Sequence, residues 1–294
     1  MNNEKSLYML YGNKRKMISF SLFIITFFII SMAFAIRYFS ILQRETGNSV
    51  ACLSPFSVFP SDDEKNIGIP EKRNNQPLYP KEVYLTFDDG PTKKNTTAIL
   101  DILEKNDIRA TFFIIGELVE KNSEIIKRMR DSGMAVLPHC YIHNYSIYKT
   151  VDEYFHDLNR CIEAIQNVTG ESVPAFIRMP GGSDNSVGRK EELRKIREAL
   201  KDNAIRYVDW NVSSMDASAN VVDMDIIVNS VISRSKNKKL AVVLMHDANS
   251  KVTTVEALPE IIRFFKDAGF VFRTFKDITE EEEREMIKRR IIYK

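Results

Sequence analysis

The chain has 294 residues, with 42 Lys+Arg against 40 Asp+Glu, 44% hydrophobic and 28% charged. This suffices for one large domain with appendages or two modest domains; it excludes a disordered chain and argues against a dedicated nucleic-acid binder, whose footprint is a strong basic excess. Three cysteines cannot supply a disulfide framework, and only four histidines are present: His139, His143, His156 and His246.

Met17 to Ile36 runs twenty residues without a charge. As a helix it spans about 30 Å, the thickness of a bilayer's hydrocarbon core. Lys14, Arg15 and Lys16 precede it directly, so the positive-inside rule puts residues 1–16 in the cytoplasm and the rest of the chain outside. The expectation is a single-pass membrane anchor over 17–36. Cleavage of a signal peptide after Ala33-Phe34-Ala35, giving a secreted chain, is the alternative. Residues 37–80, punctuated by Pro55, Pro60, Pro70, Pro77 and Pro80, read as an extracytoplasmic stalk.

Folded sequence follows. Strands are expected at Tyr84–Phe87, Ala110–Ile115, Met134–Leu137, Ala175–Arg178, Ile205–Val212, Leu240–Met245 and Phe270–Thr274. Helical patterns lie between them at Thr97–Lys105, Leu118–Asp131, Val151–Val168, Glu191–Lys201, Val222–Arg234 and Val255–Ala268. Short apolar strands alternating with amphipathic helices imply parallel strands with right-handed crossovers, an α/β barrel or a doubly wound sheet. The charge-dense end, residues 277–294, reads as a surface helix whose acidic-then-basic order suits the helix dipole.

In such folds ligands bind at the carboxyl ends of strands. Those ends carry Asp88-Asp89-Gly90-Pro91, His139-Cys140-Tyr141-Ile142-His143, Arg178-Met179-Pro180-Gly181-Gly182, Asp209-Trp210-Asn211 with Asp216 beyond, and His246-Asp247. Singly, each has a bland reading: Asp-Asp-Gly-Pro is an ordinary turn, and His-x-x-x-His is often accidental. Together on one face they point to a site. Two histidines and a carboxylate suit a catalytic metal shell with open positions. One of the adjacent aspartates can bind metal while the other serves as base, and His246 is the strand-end histidine left over as an acid. Arg178 beside an aspartate would keep it ionised. These parts suit metal-assisted hydrolysis of an amide or ester, and the lack of a G-x-S-x-G elbow disfavours a serine hydrolase.

Over residues 81 to about 276 the sequence resembles the polysaccharide deacetylases with a NodB-homology domain, carbohydrate esterase family 4. The motifs that carry the resemblance are Thr86-Phe87-Asp88-Asp89-Gly90-Pro91, the pair His139 and His143, the segment Arg178-x-Pro180-x-Gly182, and Leu244-x-His246-Asp247. The resemblance implies a distorted (β/α) barrel of about seven strands, with Asp88 as general base and Asp89, His139 and His143 as metal ligands. It implies Arg178 as the tether of Asp88, the Gly181 N–H as an oxyanion donor, His246 as general acid and Leu244 as lining for the acetyl methyl. Asp216 is expected to tune His246, with Ala217 where the family has a tryptophan; Asp209-Trp210 is the other alignment. The implied cofactor is a divalent transition metal, Zn²⁺ by default, with Co²⁺, Ni²⁺ or Mn²⁺ accepted by the same ligands. The implied substrate is N-acetylated wall polymer, with peptidoglycan N-acetylglucosamine leading over chitin oligosaccharide, xylan or exopolysaccharide. A catalytically impaired glycan-binding protein on the same barrel is the reading from another class. Three departures stand out: Leu137-Pro138 before the first histidine, Cys140 between the pair, and Ala217.

Overall fold

The computed structural model describes residues 80–294. The expected anchor at Met17–Ile36 and the stalk before Pro80 lie outside the described residues, among which no helix is long and apolar enough to cross a membrane.

The strands are β1 (Lys81–Asp88), β2 (Thr111–Ile115), β3 (Ala135–Cys140), β4 (Phe176–Ile177), β5 (Arg206–Val208), β6 (Val212–Ser213), β7 (Leu240–His246), β8 (Phe270–Arg273) and β9 (Ile292–Tyr293). The helices are α1 (Asn95–Lys105), α2 (Ser123–Asp131), α3 (Val151–Thr169), α4 (Lys190–Asp202), α5 (Met224–Ser235), α6 (Val252–Asp267) and α7 (Glu280–Lys288). One sheet has the order β3-β2-β1-β7-β6, with β8 also pairing β1; the second has the order β4-β5-β9. Every pairing is parallel except β5 with β9. A single backbone bond, Arg178 N to Pro138 O at 3.3 Å, links β4 to β3. The arrangement is an α/β fold whose strand order follows an interrupted barrel.

The period-2 alternation of the central strands separates two layers. On β1, Val83, Leu85 and Phe87 join the large core that also holds Ile99, Leu100 and Leu103 of α1 and Leu258, Ile261 and Ile262 of α6. The opposite column reads Tyr84, Thr86, Asp88, all nearly inaccessible. On β7 the corresponding column reads Leu240, Val242, Leu244, His246, and the register pairs Thr86 with Leu244 and Asp88 with His246. Two apolar columns thus end in an acid and a histidine side by side at the carboxyl end.

Two sequence expectations are corrected. Ile205–Val212 is two strands: β5 belongs to the three-stranded sheet and β6 to the six-stranded one. The cause is local: Asp209 gives its side chain to Ser183, and the Asn211 side chain bonds Leu240 O at 2.9 Å and Val242 N at 2.8 Å, carrying the chain across to β7. The chain end is not wholly helical. α7 starts with a capping box of Thr279 and Glu282 and stops at Lys288, after which Ile291-Ile292-Tyr293 buries two isoleucines and pairs with β5. Burial of Ile291 and Ile292, with the half-buried Tyr293 stacked on Tyr207 at 4.9 Å, favours a strand over further helix.

Candidate active site and metal centre

Asp88 and Asp89 are neighbours with different surroundings. Asp88 ends β1 pointing inward, whereas Asp89 takes a left-handed φ of 80°, which aspartate tolerates better than most residues. Gly90 is required there, since a Cβ would overlap the Asp247 carboxylate. Asp247 in turn accepts from Thr96 Oγ1 at 2.5 Å, and Thr92 Oγ1 donates to its carbonyl at 2.8 Å, tying the turn to the end of β7.

Arg178 is completely buried and organises Asp88. Its Nη1 donates to Asp88 Oδ1 at 2.9 Å and to Thr86 Oγ1 at 2.6 Å, its Nε to Val208 O at 3.1 Å, and its guanidinium lies 4.2 Å from the Phe113 ring centroid. Burial pushes the Asp88 carboxyl upward, opposed by the charges of Arg178 and His246, and the net displacement is upward. Arg178 thus holds the buried Asp88 carboxyl in one orientation.

His139 sits at a register shift between β2 and β3, where Ile114 faces Pro138 but Ile115 faces Cys140. Pro138 has no N–H to lose from the ladder, and bulges of this kind re-aim side chains next to sites. The His139 Nδ1–H donates to Arg178 O at 2.8 Å, which leaves Nε2 as a lone-pair donor. Burial pushes the His139 pKa down to about 3, so the ring stays neutral. His143 Nε2 and His139 Nε2 lie 3.4 and 3.6 Å from Asp89 Oδ1. That oxygen is buried without a hydrogen-bond partner, and one ligand atom from each of the three residues falls within 4.8 Å of the others. Ligands of a tetrahedral ion at about 2.0–2.1 Å stand roughly 3.3 Å apart, so an orphaned carboxylate oxygen facing two imidazole lone pairs fits a divalent cation such as Zn²⁺. Cys140 is buried and outside this trio, and burial drives its thiol well above its ordinary value; it behaves as a small core side chain.

His246 Nδ1 and the His246 backbone N–H both meet the Asp216 carboxylate, at 2.8 and 2.7 Å, and Thr254 Oγ1 donates to it at 2.9 Å. Burial alone pulls the imidazole down; the hydrogen bond and charge of Asp216, aided by Asp88 and Asp89, outweigh it and raise the pKa to about 9. Burial also works against the Asp216 carboxylate, but its bonds to His246 win and its pKa is lowered. Of the two alignments considered, Asp216 is the one that touches His246. Asp209 instead holds the Gly181–Ser183 loop, accepting from Ser183 N at 3.0 Å and Ser183 Oγ at 2.5 Å. Gly181 and Gly182 have φ of 76° and 87°, and the exposed Gly181 N–H has no hydrogen-bond partner among the described residues. Leu244 is buried one pleat below His246. Ala217 is exposed, and His156 faces solvent on α3.

Three neighbours of the site escaped the motif reading. Tyr145 stands edge-on to His143 at 5.6 Å, its hydroxyl 3.5 Å from where a Gly181 Cβ would lie. Lys251 is buried and its Nζ donates to the carbonyls of Asp216, Ala219 and Asn220 at 3.0, 2.9 and 3.1 Å, clamping the loop that carries Asp216. Asp157 of α3 bonds the turn between His139 and His143. Its signal was present in the sequence as a charge on the otherwise apolar stripe Tyr154, Leu158, Cys161, Ile165.

The chain is similar to known polysaccharide deacetylases. The family model for polysaccharide deacetylase matches residues 75–208. A peptidoglycan-N-acetylglucosamine deacetylase of Bacillus cereus is 33% identical over 202 residues, covering 67% of this chain and 70% of its own. The peptidoglycan-N-acetylmuramic acid deacetylase PdaA of Bacillus subtilis is 28% identical over 203 residues, covering 69% and 73%. The crystal structure of the catalytic domain of a peptidoglycan N-acetylglucosamine deacetylase from Eubacterium rectale superposes with a TM-score of 0.63 at 32% identity, over 69% of this chain and 90% of that one. With a hydrolytic constellation at the carboxyl ends of its strands and these relatives, the chain belongs to the polysaccharide deacetylase family, carbohydrate esterase family 4.

Proposed function

We propose that the protein is a metal-dependent deacetylase of cell-wall glycan, acting outside the membrane on peptidoglycan N-acetylglucosamine and releasing acetate. The observation that carries the reading is the juxtaposition of Asp88, tethered to Arg178 at 2.9 Å, with His246, tethered to Asp216 at 2.8 Å, on paired positions of β1 and β7 beside the Asp89–His139–His143 trio. An amide carbonyl placed between them has a base on one strand and an acid on the next.

A divalent cation, Zn²⁺ by default, would be held by Asp89, His139 and His143 and would supply Lewis acidity towards water and the acetyl carbonyl. The remaining work belongs to the chain. Asp88 takes a proton from the attacking water, and Arg178 holds the carboxylate in line. The Gly181 N–H donates to the developing oxyanion, a contribution independent of side-chain identity. His246, kept protonated by Asp216, gives its proton to the departing amine. Leu244 packs against the acetyl methyl. The membrane part of the proposal rests on the uncharged run Met17–Ile36 behind Lys14, Arg15 and Lys16.

The likeness to the peptidoglycan-N-acetylmuramic acid deacetylase PdaA of Bacillus subtilis favours a second reading, deacetylation of N-acetylmuramic acid. Acetate release by the full chain separates the two when measured on N-acetylglucosamine oligomers and on intact peptidoglycan, with mapping of the deacetylated sugar. We expect release that a chelator abolishes and that Asp88→Asn lowers about 10²–10⁴-fold. Release unaffected by chelator would overturn the metal assignment; none from either glycan by the metal-loaded chain would leave a glycan-binding protein. A mature chain beginning at Ile36 would replace the anchor with a cleaved signal.

A further inference from the structure

The two metal-facing histidines are held in different ways. His139 is fixed twice, by the register shift on β3 and by its Nδ1–H bond to Arg178 O. The His143 ring has neither support: it lies beyond the end of β3, its side chain is 32% exposed, and its neighbours are the His139 ring at 5.5 Å and the Tyr145 edge at 5.6 Å. Its Nε2 nevertheless stands 3.4 Å from Asp89 Oδ1. The backbone must therefore do the positioning, and the backbone between the pair is gripped from α3. Asp157, 8% exposed, accepts the Tyr141 N–H on Oδ2 at 2.7 Å and the Ile142 N–H on Oδ1 at 3.1 Å. One turn further along α3, the Arg160 guanidinium lies 3.7 Å from the Tyr141 ring centroid. Placing a carboxylate on the buried stripe of a helix is costly unless both oxygens are satisfied, and here both are satisfied by the same two-residue turn.

We infer that Asp157 is a positioning residue for the metal centre: by clamping the Tyr141–Ile142 turn it sets where His143 stands, and so sets metal affinity. Metal-ligating histidines are commonly oriented by a carboxylate on the ring's other nitrogen, and loss of such a partner weakens binding about 10–100-fold. In this chain the carboxylate acts one step further back, on the peptide units that lead into the ligand. The inference rests on the metal reading of the trio but not on any substrate.

The test measures Zn²⁺ affinity of the full chain by chelator competition, together with the visible absorption of the Co²⁺-loaded protein, without substrate. Asp157→Ala is expected to weaken Zn²⁺ binding about 10–100-fold and to alter the Co²⁺ ligand-field bands. Asp157→Asn keeps the shape and one acceptor oxygen, so it stays folded and loses less; Asp157→Glu, with both oxygens, recovers part of the affinity. Leu158→Ala removes a buried contact from the same helix without touching the clamp; it should lower the melting temperature yet leave affinity within about twofold, as core truncation acts on stability. Affinity of Asp157→Ala and Asp157→Asn within twofold of wild type would overturn the inference, as would an equal loss in Leu158→Ala. Absence of any metal binding by the wild-type chain would overturn the metal reading and this inference together, whereas metal binding without deacetylation would count against the substrate proposal alone.

Discussion

His139 and His246 lie at the carboxyl ends of β3 and β7, strands of one sheet with β2 and β1 between them, and their proton affinities are driven in opposite directions. His139 is pushed down to about 3 and His246 up to about 9. Burial opposes the charged ring in both. The difference lies in what faces Nδ1: a backbone carbonyl for His139, a carboxylate for His246. A carbonyl orients a ring without compensating its charge, so that ring stays neutral with its Nε2 lone pair available, as the proposed ligand role requires. A carboxylate supplies the countercharge, so that ring stays protonated, as the proposed acid role requires. One residue type is thus held in two protonation states by its partners.

The largest effects should come from emptying either half. His246→Ala is expected to lower turnover about 10²–10⁴-fold with metal content unchanged, whereas His139→Ala should lose metal outright. Metal analysis alongside single-turnover rates separates the halves, and loss of metal in both variants would dissolve the distinction. A smaller effect tests its cause. Asp216→Asn removes the countercharge, so the His246 titration seen by NMR in the metal-free protein should move down from about 9. The raised native pKa means that the protonated ring stabilises the fold fully below its ordinary value of about 6.5, and that this stability is lost as pH rises through about 9. Asp216→Asn should flatten urea-unfolding stability across that window, and an unchanged slope would place the countercharge elsewhere. The smallest effect concerns Cys140. Cys140→Ser should leave metal affinity within about twofold while costing about 1 kcal/mol for burying a hydroxyl, read from denaturant midpoints.

Much of the site was legible because strand ends concentrate function, and Asp88, Asp89, His139, His143, Arg178 and His246 all fall at or just beyond such ends. What stayed illegible depended on backbone direction or distant partners. The sequence favours Asp216 and leaves Asp209-Trp210 as an alternative alignment; the break between β5 and β6 sends Asp209 to Ser183 and Asp216 to His246. Lys251 meets its carbonyls across 31 to 35 positions of sequence, a relation no local pattern encodes. Asp157 was visible as a charge on an apolar stripe, yet nothing local says which N–H groups it meets.

By itself the sequence determined the strand–helix alternation, the face on which chemistry collects and the residue types that carry it, since these follow from periodicity and from turns near strand ends. The tertiary structure decided which aspartate joins His139 and His143 and which meets Arg178, which carboxylate keeps His246 protonated, and that the charged tail ends as a strand on β5. Proton affinities and ligand geometry depend on burial and on partners within about 3 Å, and those are properties of packing rather than of order along the chain.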